Sequence, residues 1–296
     1  MRLLITDLDN TLYDWVTYFA YAFDAMVRAL GPLLGVSRGQ LLDEFRAVHQ
    51  RYGNSEQPFA VLELPSVLKR FGTTDRGALK VAVDPALHAF NSARKRHLML
   101  YPSVRDALEA VRGRGIGIVG HTEAIAVNAM YRLRYLGIEN LFARLYALHG
   151  EALDHPDVDR GRPLEAAPGF VRVVPRDERK PNPRLLLDIC EREGVEPRDA
   201  WYVGDSLTRD ISMAKDAGVV AVWAQYGTVY DRELWNILVR VTHWTDEDVR
   251  REEQLRHLAA RVSPDFIVGS FGEILAILDG GARDARGVGA PAKVVL

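Results

Sequence analysis

The chain has 296 residues, enough for a main domain with one smaller module and a sizeable buried core. Its 38 Lys and Arg stand against 40 Asp and Glu, a formal net charge of −2, so no broad basic field marks it for nucleic acid or an anionic membrane, and small ligands are the expected partners. The single cysteine, Cys190, excludes an intramolecular disulfide and a cysteine metal cage and fits a reducing compartment. The opening MRLLITDLD has too short an apolar run for a signal peptide or a membrane span, so the expected location is the cytoplasm, as a monomer or a homodimer.

Leu3, Leu4 and Ile5 form a short apolar run ending in Thr6 and Asp7, the pattern of a buried parallel strand that meets a polar loop at its carboxyl end. Between this strand and the next, Val16, Phe19, Ala20, Phe23, Val27 and Leu30 repeat at helical spacing. Ser37 with Gln40 resembles a capping box ahead of Leu41, Leu42, Phe45 and Val48. Residues 15–98 are therefore expected to be a helical insertion, with 1–14 and 99–280 as the core. Ser103 is the expected N-cap of a helix marked by Val104, Ala107, Leu108 and Val111 and closed by Gly113 or Gly115. Further strand-like runs, each after a helical pattern, are IGIVGHT near residue 116, RLYALH near 144, AWYVGD near 200, VVAVWA near 219 and DFIVGS near 265. The alternation predicts an α/β fold, doubly wound on a mainly parallel sheet. The Pro-, Gly- and charge-rich stretch 150–168 reads as an excursion loop. In 228–262, Leu234, Trp235, Leu238 and Val241 give a helical stripe before the charged DEDVRREEQLR. Residues 281–296 read as a loose tail.

Asp7 and Asp9 are two apart, so in an extended chain both side chains leave on one side, at the strand end where open α/β sheets bind ligands. Adjacent carboxylates repel unless a cation neutralises them, and hard oxygen ligands with room for phosphate suit Mg²⁺. A bare DxD is otherwise a solvated pair in a turn. Thr122, at the expected end of the second strand, offers a hydroxyl and nearby backbone N–H groups to a phosphate oxygen, or else caps a helix. Lys180 opens KPNP, where two prolines stiffen the approach; its ammonium either neutralises a phosphoryl group or is simply solvated. Gly204 is expected to permit a tight turn, Asp205 falls at a strand end and Asp210 follows five residues on; either acid alone could cap a helix. The glycines at 113, 115, 117 and 120 precede and occupy a strand, so they fail the context of a dinucleotide loop. The eight histidines offer no zinc-binding pair on one helix face.

Taken together, DLDNTL, the strand-terminal Thr122, KPNP and GDSLTRD, with PDFIVGSFGEILAIL further on, resemble the motifs of the haloacid dehalogenase superfamily over nearly the whole core. The resemblance implies a Rossmann-like core, the helical insertion as a mobile cap, and a phosphatase acting on a small phosphorylated metabolite, nucleotides and sugar phosphates included. It implies Asp7 as nucleophile and Asp9 as general acid and base. Mg²⁺ would be held by Asp7, the backbone carbonyl of Asp9 and Asp205, with Asp210 supporting that shell. Thr122 and Lys180 would bind phosphoryl oxygens, with Asn10 and Glu123 as further candidate phosphate contacts. Glu123 departs from the small or amide residue more usual there, and facing the pocket it would repel a phosphate dianion. Trp15 and Tyr18 are the first candidates for leaving-group contacts, or else pack the first cap helix. A phosphomutase would use the same four positions, and a catalytically silent scaffold would keep the fold alone.

Overall fold

The computed structural model describes residues 1–57, 59–149, 167–175, 177–259 and 262–280. The expected excursion at 150–168, but for its last two residues, and the expected tail at 281–296 lie outside these residues. The described strands form one parallel sheet: β1 (Leu3–Thr6), β2 (Gly117–Ile125), β3 (Arg144–Leu148), β4 (Val171–Val174), β5 (Ala200–Gly204), β6 (Val220–Ala224) and β7 (Phe266–Val268). Their order is β4-β3-β2-β1-β5-β6-β7. β1 is central, with Leu3 opposite both Gly117 of β2 and Ala200 of β5. All four of its residues are buried, which is why it reads as an unbroken apolar run. The chain leaves β1 toward β2 and later returns on the other flank as β5, so a topological switch point lies at the carboxyl ends of β1 and β5. Two differences from the sequence reading concern strands. β4 was not expected; it is an edge strand whose middle residues are exposed, so it lacks an apolar run. β2 continues past Thr122 to Ile125, because its register against β3 shifts between His121 and Ile125 and the strand goes on irregularly.

Between β1 and β2 come α1 (Trp15–Leu34), α2 (Arg38–Tyr52), α3 (Pro65–Phe71), α4 (Arg76–Ala82), α5 (Asp84–His97) and α6 (Val104–Gly113). Asp14 caps α1 by accepting from the Thr17 N–H at 2.8 Å. Ser37 caps α2 through Gln40 N–H at 3.2 Å, but the reciprocal half of the expected box is absent. The Gln40 amide instead donates to Glu44 and Ser66, each at 2.9 Å, which ties α2 to α3. Ser103 stands at the N-cap position of α6 without capping it: its φ is 67°, and its hydroxyl donates to the Pro102 carbonyl and accepts from Gly272 N–H at 3.0 Å. The helices that follow are α7 (Ala126–Tyr135), α8 (Pro183–Arg192), α9 (Ser212–Asp216), α10 (Arg232–Arg240), α11 (Asp246–Ala259) and α12 (Glu273–Leu278). On one face of the sheet Leu4 packs with Leu108 of α6, Leu133 of α7 and Ile274 of α12; on the other Leu3 and Ile5 pack with Leu186 of α8 and Ala214 of α9. This alternation along β1 is the doubly wound arrangement. No single described helix is long and apolar enough to cross a membrane.

A third apolar cluster joins Phe23, Val27 and Leu30 of α1 to Phe45 and Val48 of α2 and Leu79 of α4. Its outlying member is Val241, fully buried just after α10, with Ile237 packed beside it. The segment after β6 therefore reaches back and completes the core of the insertion. Polar contacts fasten it there. His49 Nδ1 donates to the Val241 carbonyl at 2.7 Å, Ser55 Oγ meets His243 Nδ1 at 2.8 Å, and Gln50 donates to the Trp244 carbonyl at 3.3 Å. Burial pushes His49 down to about 4, against the opposing pull of the Val241 carbonyl and Glu56. Burial and then Arg179 bring His243 to about 4 as well. A histidine depressed on folding binds its proton first in the unfolded chain, so its stabilisation is complete above the ordinary value of 6.5 and is lost as pH falls toward 4. From pH 7 to pH 5 the loss at His49 is about 2 kcal/mol. Urea unfolding at the two pH values is expected to show a drop smaller by about that amount in His49→Asn, whose amide keeps the donor without the titration; equal drops in both proteins would contradict a neutral, buried His49.

Candidate active site

β1 stops at Thr6 because the chain then turns: Leu12 N–H donates to the Leu8 carbonyl at 2.8 Å, and Asn10 takes a left-handed φ of 56°. Asp7 sits at the strand end, its own N–H still paired with the Val203 carbonyl of β5 at 2.9 Å. Its Oδ1 receives the Lys180 ammonium at 2.6 Å, and that ammonium also donates to Asp210 Oδ1 at 2.9 Å. Asp210 accepts further from Tyr202 OH at 3.1 Å and from Ser206 N–H at 3.1 Å. Gly204 supplies room for this carboxylate and not the expected tight turn. Its φ is not positive, but a Cβ there would fall 2.5 Å from the Asp210 carboxyl group. Gly227 is needed for a similar reason, since its Cβ would lie 1.9 Å from the Asn10 carbonyl oxygen and 2.9 Å from Asp205 Cβ.

Among the described residues, carboxylate oxygens of Asp7, Asp205 and Asp210 lie within 4.8 Å of one another. Burial pushes Asp7 up to about 7; Lys180 pulls it back, while Asp210 and Asp9 push it further. Burial, then Asp210 and Asp7, raises Asp205 well above the carboxylate range. Burial opposes the charge on Lys180, yet Asp210 and Asp7 outweigh it and keep the ammonium protonated. Three carboxylates thus crowd one ammonium, and the cluster is short of positive charge. An all-oxygen donor set in that condition fits a hard divalent cation.

Asp9 has a different partner. Arg132 of α7 donates from Nη1 to Asp9 Oδ1 at 2.7 Å and from Nη2 to Glu56 Oε1. Burial works against the guanidinium charge, but Asp9 and Glu56 overcome it and hold the pKa well above its ordinary value. Glu56 Oε1 also accepts from Trp15 Nε1 at 2.9 Å and Tyr18 OH at 3.1 Å, so both aromatic residues expected near a leaving group converge on this one carboxylate. Neither Arg132 nor Glu56 was singled out in the sequence. For Arg132 a signal existed: a basic residue among Ala129, Met130 and Leu133, all buried, on the helix after the second strand. Glu56, between α2 and the next helical turn, carries none.

Thr122 is buried, and its Oγ1 accepts from Ala124 N–H at 3.0 Å. Glu123 faces Arg209 at 2.9 Å and accepts from the Lys180 backbone N–H at 3.2 Å, so its charge is met by a guanidinium and its carboxylate anchors the lysine's backbone. Asn10 does not direct its amide oxygen into the cluster: Oδ1 accepts from the N–H groups of Trp15 at 3.1 Å and Val16 at 3.4 Å, at the start of α1.

The family model described as haloacid dehalogenase-like hydrolase matches residues 1–218, and a HAD-hydrolase-like model matches 178–274. The chain is 26% identical over 288 residues to a glyceraldehyde 3-phosphate phosphatase of Methanopyrus kandleri, covering 96% of this chain and 100% of that one. It is 28% identical over 242 residues to a phosphoglycolate phosphatase of Pseudomonas putida, covering 79% of this chain and 72% of the relative. Among solved structures, a 2-haloacid dehalogenase from Pseudomonas syringae pv. Tomato superposes with a TM-score of 0.54 at 20% identity, covering 95% of this chain and all of that one. The Bacillus subtilis HAD-hydrolase YfnB, solved bound to magnesium, gives 0.50 at 16% identity, covering 94% and 98%. With the family model spanning most of the sequence and phosphatases among its relatives, the chain belongs to the haloacid dehalogenase-like hydrolases and is a phosphoric monoester hydrolase.

Proposed function

We propose that the chain cleaves a small phosphate monoester in two steps through Asp7, with Mg²⁺ as cofactor. The observation that carries this reading is the division of labour between two carboxylates two residues apart: Asp7 is held by Lys180, whereas Asp9 is held by Arg132. Separate cations give the pair separate environments and hence separate roles. Asp7 attacks phosphorus, the ester P–O bond breaks, and the departing alkoxide takes a proton from Asp9. Asp9 then takes a proton from water, the water oxygen attacks phosphorus, and phosphate leaves as the Asp7 carboxylate is restored. Lys180 donates to the phosphoryl oxygens, and so does Thr122, whose hydroxyl proton is not engaged by the bond it accepts from Ala124. Asp7, Asp205 and the Asp9 carbonyl would hold Mg²⁺, with Asp210 fixing Lys180 alongside. When bound, the ion neutralises charge on the phosphoryl group. Glu123 is a positioning residue for the Lys180 loop.

Helices α1 to α5 act as a cap over this edge. Both crossings into the cap run side by side, with Tyr13 bridged to Leu100 and Tyr101 N–H bonded to the Leu12 carbonyl at 2.9 Å. The substrates named for the two relatives, glyceraldehyde 3-phosphate and phosphoglycolate, are both short-chain esters, which supports a small leaving group. We place the enzyme in the cytoplasm, where a single free cysteine is kept reduced. Release of inorganic phosphate from p-nitrophenyl phosphate tests the assignment. Asp7→Asn is expected to lower kcat by at least about a thousandfold, and near-normal turnover would sink the nucleophile. Chelation is expected to abolish turnover and Mg²⁺ to restore it, with Ca²⁺ a poor substitute because its looser, higher coordination spoils alignment for attack. Full activity in excess chelator would remove the metal from the scheme.

A further inference from the structure

Beyond Arg132 and Glu56 lies a cavity of about 90 Å³, walled by Phe19, Phe23, Phe45, Phe59, Phe90 and Tyr131, with Glu56, Arg132 and Asn128 at its polar end. The wall is supplied by α1, α2, α5, the segment before α3 and the core helix α7. Arg132 joins the two regions, since it lines the cavity and also touches Asp9 at 2.7 Å. A leaving oxygen that takes its proton from Asp9 therefore has the rest of its alcohol directed along Arg132 toward the aromatic wall. The charged side chains lining the cavity are Glu56, Arg132 and Arg94. Glu56 is firmly held, because Trp15, Tyr18 and Arg132 all donate to its Oε1 and Asn128 donates to its backbone carbonyl at 3.3 Å. Arg94 also lines the cavity, its guanidinium lying flat on the Tyr131 ring at 3.8 Å.

We infer that this cavity selects phosphate esters of compact, hydrocarbon-rich alcohols. The assignment rests on Asp9 serving the leaving group, as proposed above. One water-sized group needs only about 10–15 Å³ of such space, so the cavity accepts a short alkyl chain. Each buried methylene is worth roughly fourfold in binding, so chain length up to that limit is rewarded.

The test compares kcat/KM for methyl phosphate and isobutyl phosphate at saturating Mg²⁺, alongside calorimetric binding of isobutylphosphonate and methylphosphonate. Isobutyl phosphate is expected to exceed methyl phosphate by at least roughly tenfold, and isobutylphosphonate to bind at least roughly tenfold tighter than methylphosphonate. Ala60→Leu and Val61→Phe, each of which takes space from the cavity, are expected to lower the isobutyl-to-methyl ratio about tenfold. Thermal unfolding accompanies both variants, and the wild-type phosphonate comparison decides the matter if either fails to fold. Equal or tighter binding of methylphosphonate would overturn the inference. If the wild type hydrolyses no ester yet keeps the phosphonate preference, the hydrolytic reading falls and the pocket assignment stands.

Discussion

Three carboxylates at the carboxyl ends of β1 and β5 share a space from which water is largely withdrawn, and the surrounding architecture follows from the need to balance their charge. Lys180 answers part of that need. Its ammonium bridges Asp7 and Asp210, while its backbone is pinned by Glu123, which in turn is met by Arg209. Removing one partner from a buried pair of this kind leaves a charge without compensation, at a cost of about 3–5 kcal/mol, so the network has little freedom to drift. Gly204 belongs to the same constraint: any side chain there would expel the Asp210 carboxylate and with it the anchor of the lysine.

Arg132 is a second centre of positive charge, reached from the opposite side. It comes from α7 and is almost fully buried, where no isolated cation is tolerated. By taking Asp9 in one hand and Glu56 in the other, it connects the reacting edge of the sheet to the insertion. The state of the cap and the environment of Asp9 are therefore not separate matters. Any movement of the insertion away from α7 would part Glu56 from Arg132 and leave Asp9 as its remaining carboxylate among these two.

Much of the fold was legible in the sequence. Leu3 to Ile5, the AWYVGD run and the VVAVWA run are strands buried on both faces, so their apolar character survives without alternation. β4 was missed because VRVV sits at the sheet edge and exposes two of its four residues. At the site, the spacing of Asp7 and Asp9 and the strand-end position of Asp205 could be read, since a strand end is a local property. Arg132 could not be paired with Asp9, 123 residues away, or with Glu56, 76 residues away, because nothing local records such a meeting. The Asn10 side-chain oxygen works locally, accepting from helix-start N–H groups five and six residues ahead, and a phosphate contact there would fall to its amide NH2.

Val241 closes the apolar core of the insertion from the far end of the chain, and this bears on how the molecule is made. On a ribosome, residues 15–98 emerge first, yet the core they need stays incomplete until α10 and Val241 have followed, well over a hundred residues later. Helices α1 to α5 then wait with apolar surface uncovered, a condition in which nascent chains engage chaperones. The same closure binds the two regions into one cooperative unit, so a protease or denaturant that frees α10 should also loosen α1 and α2, and amide protons in these separate stretches should exchange together.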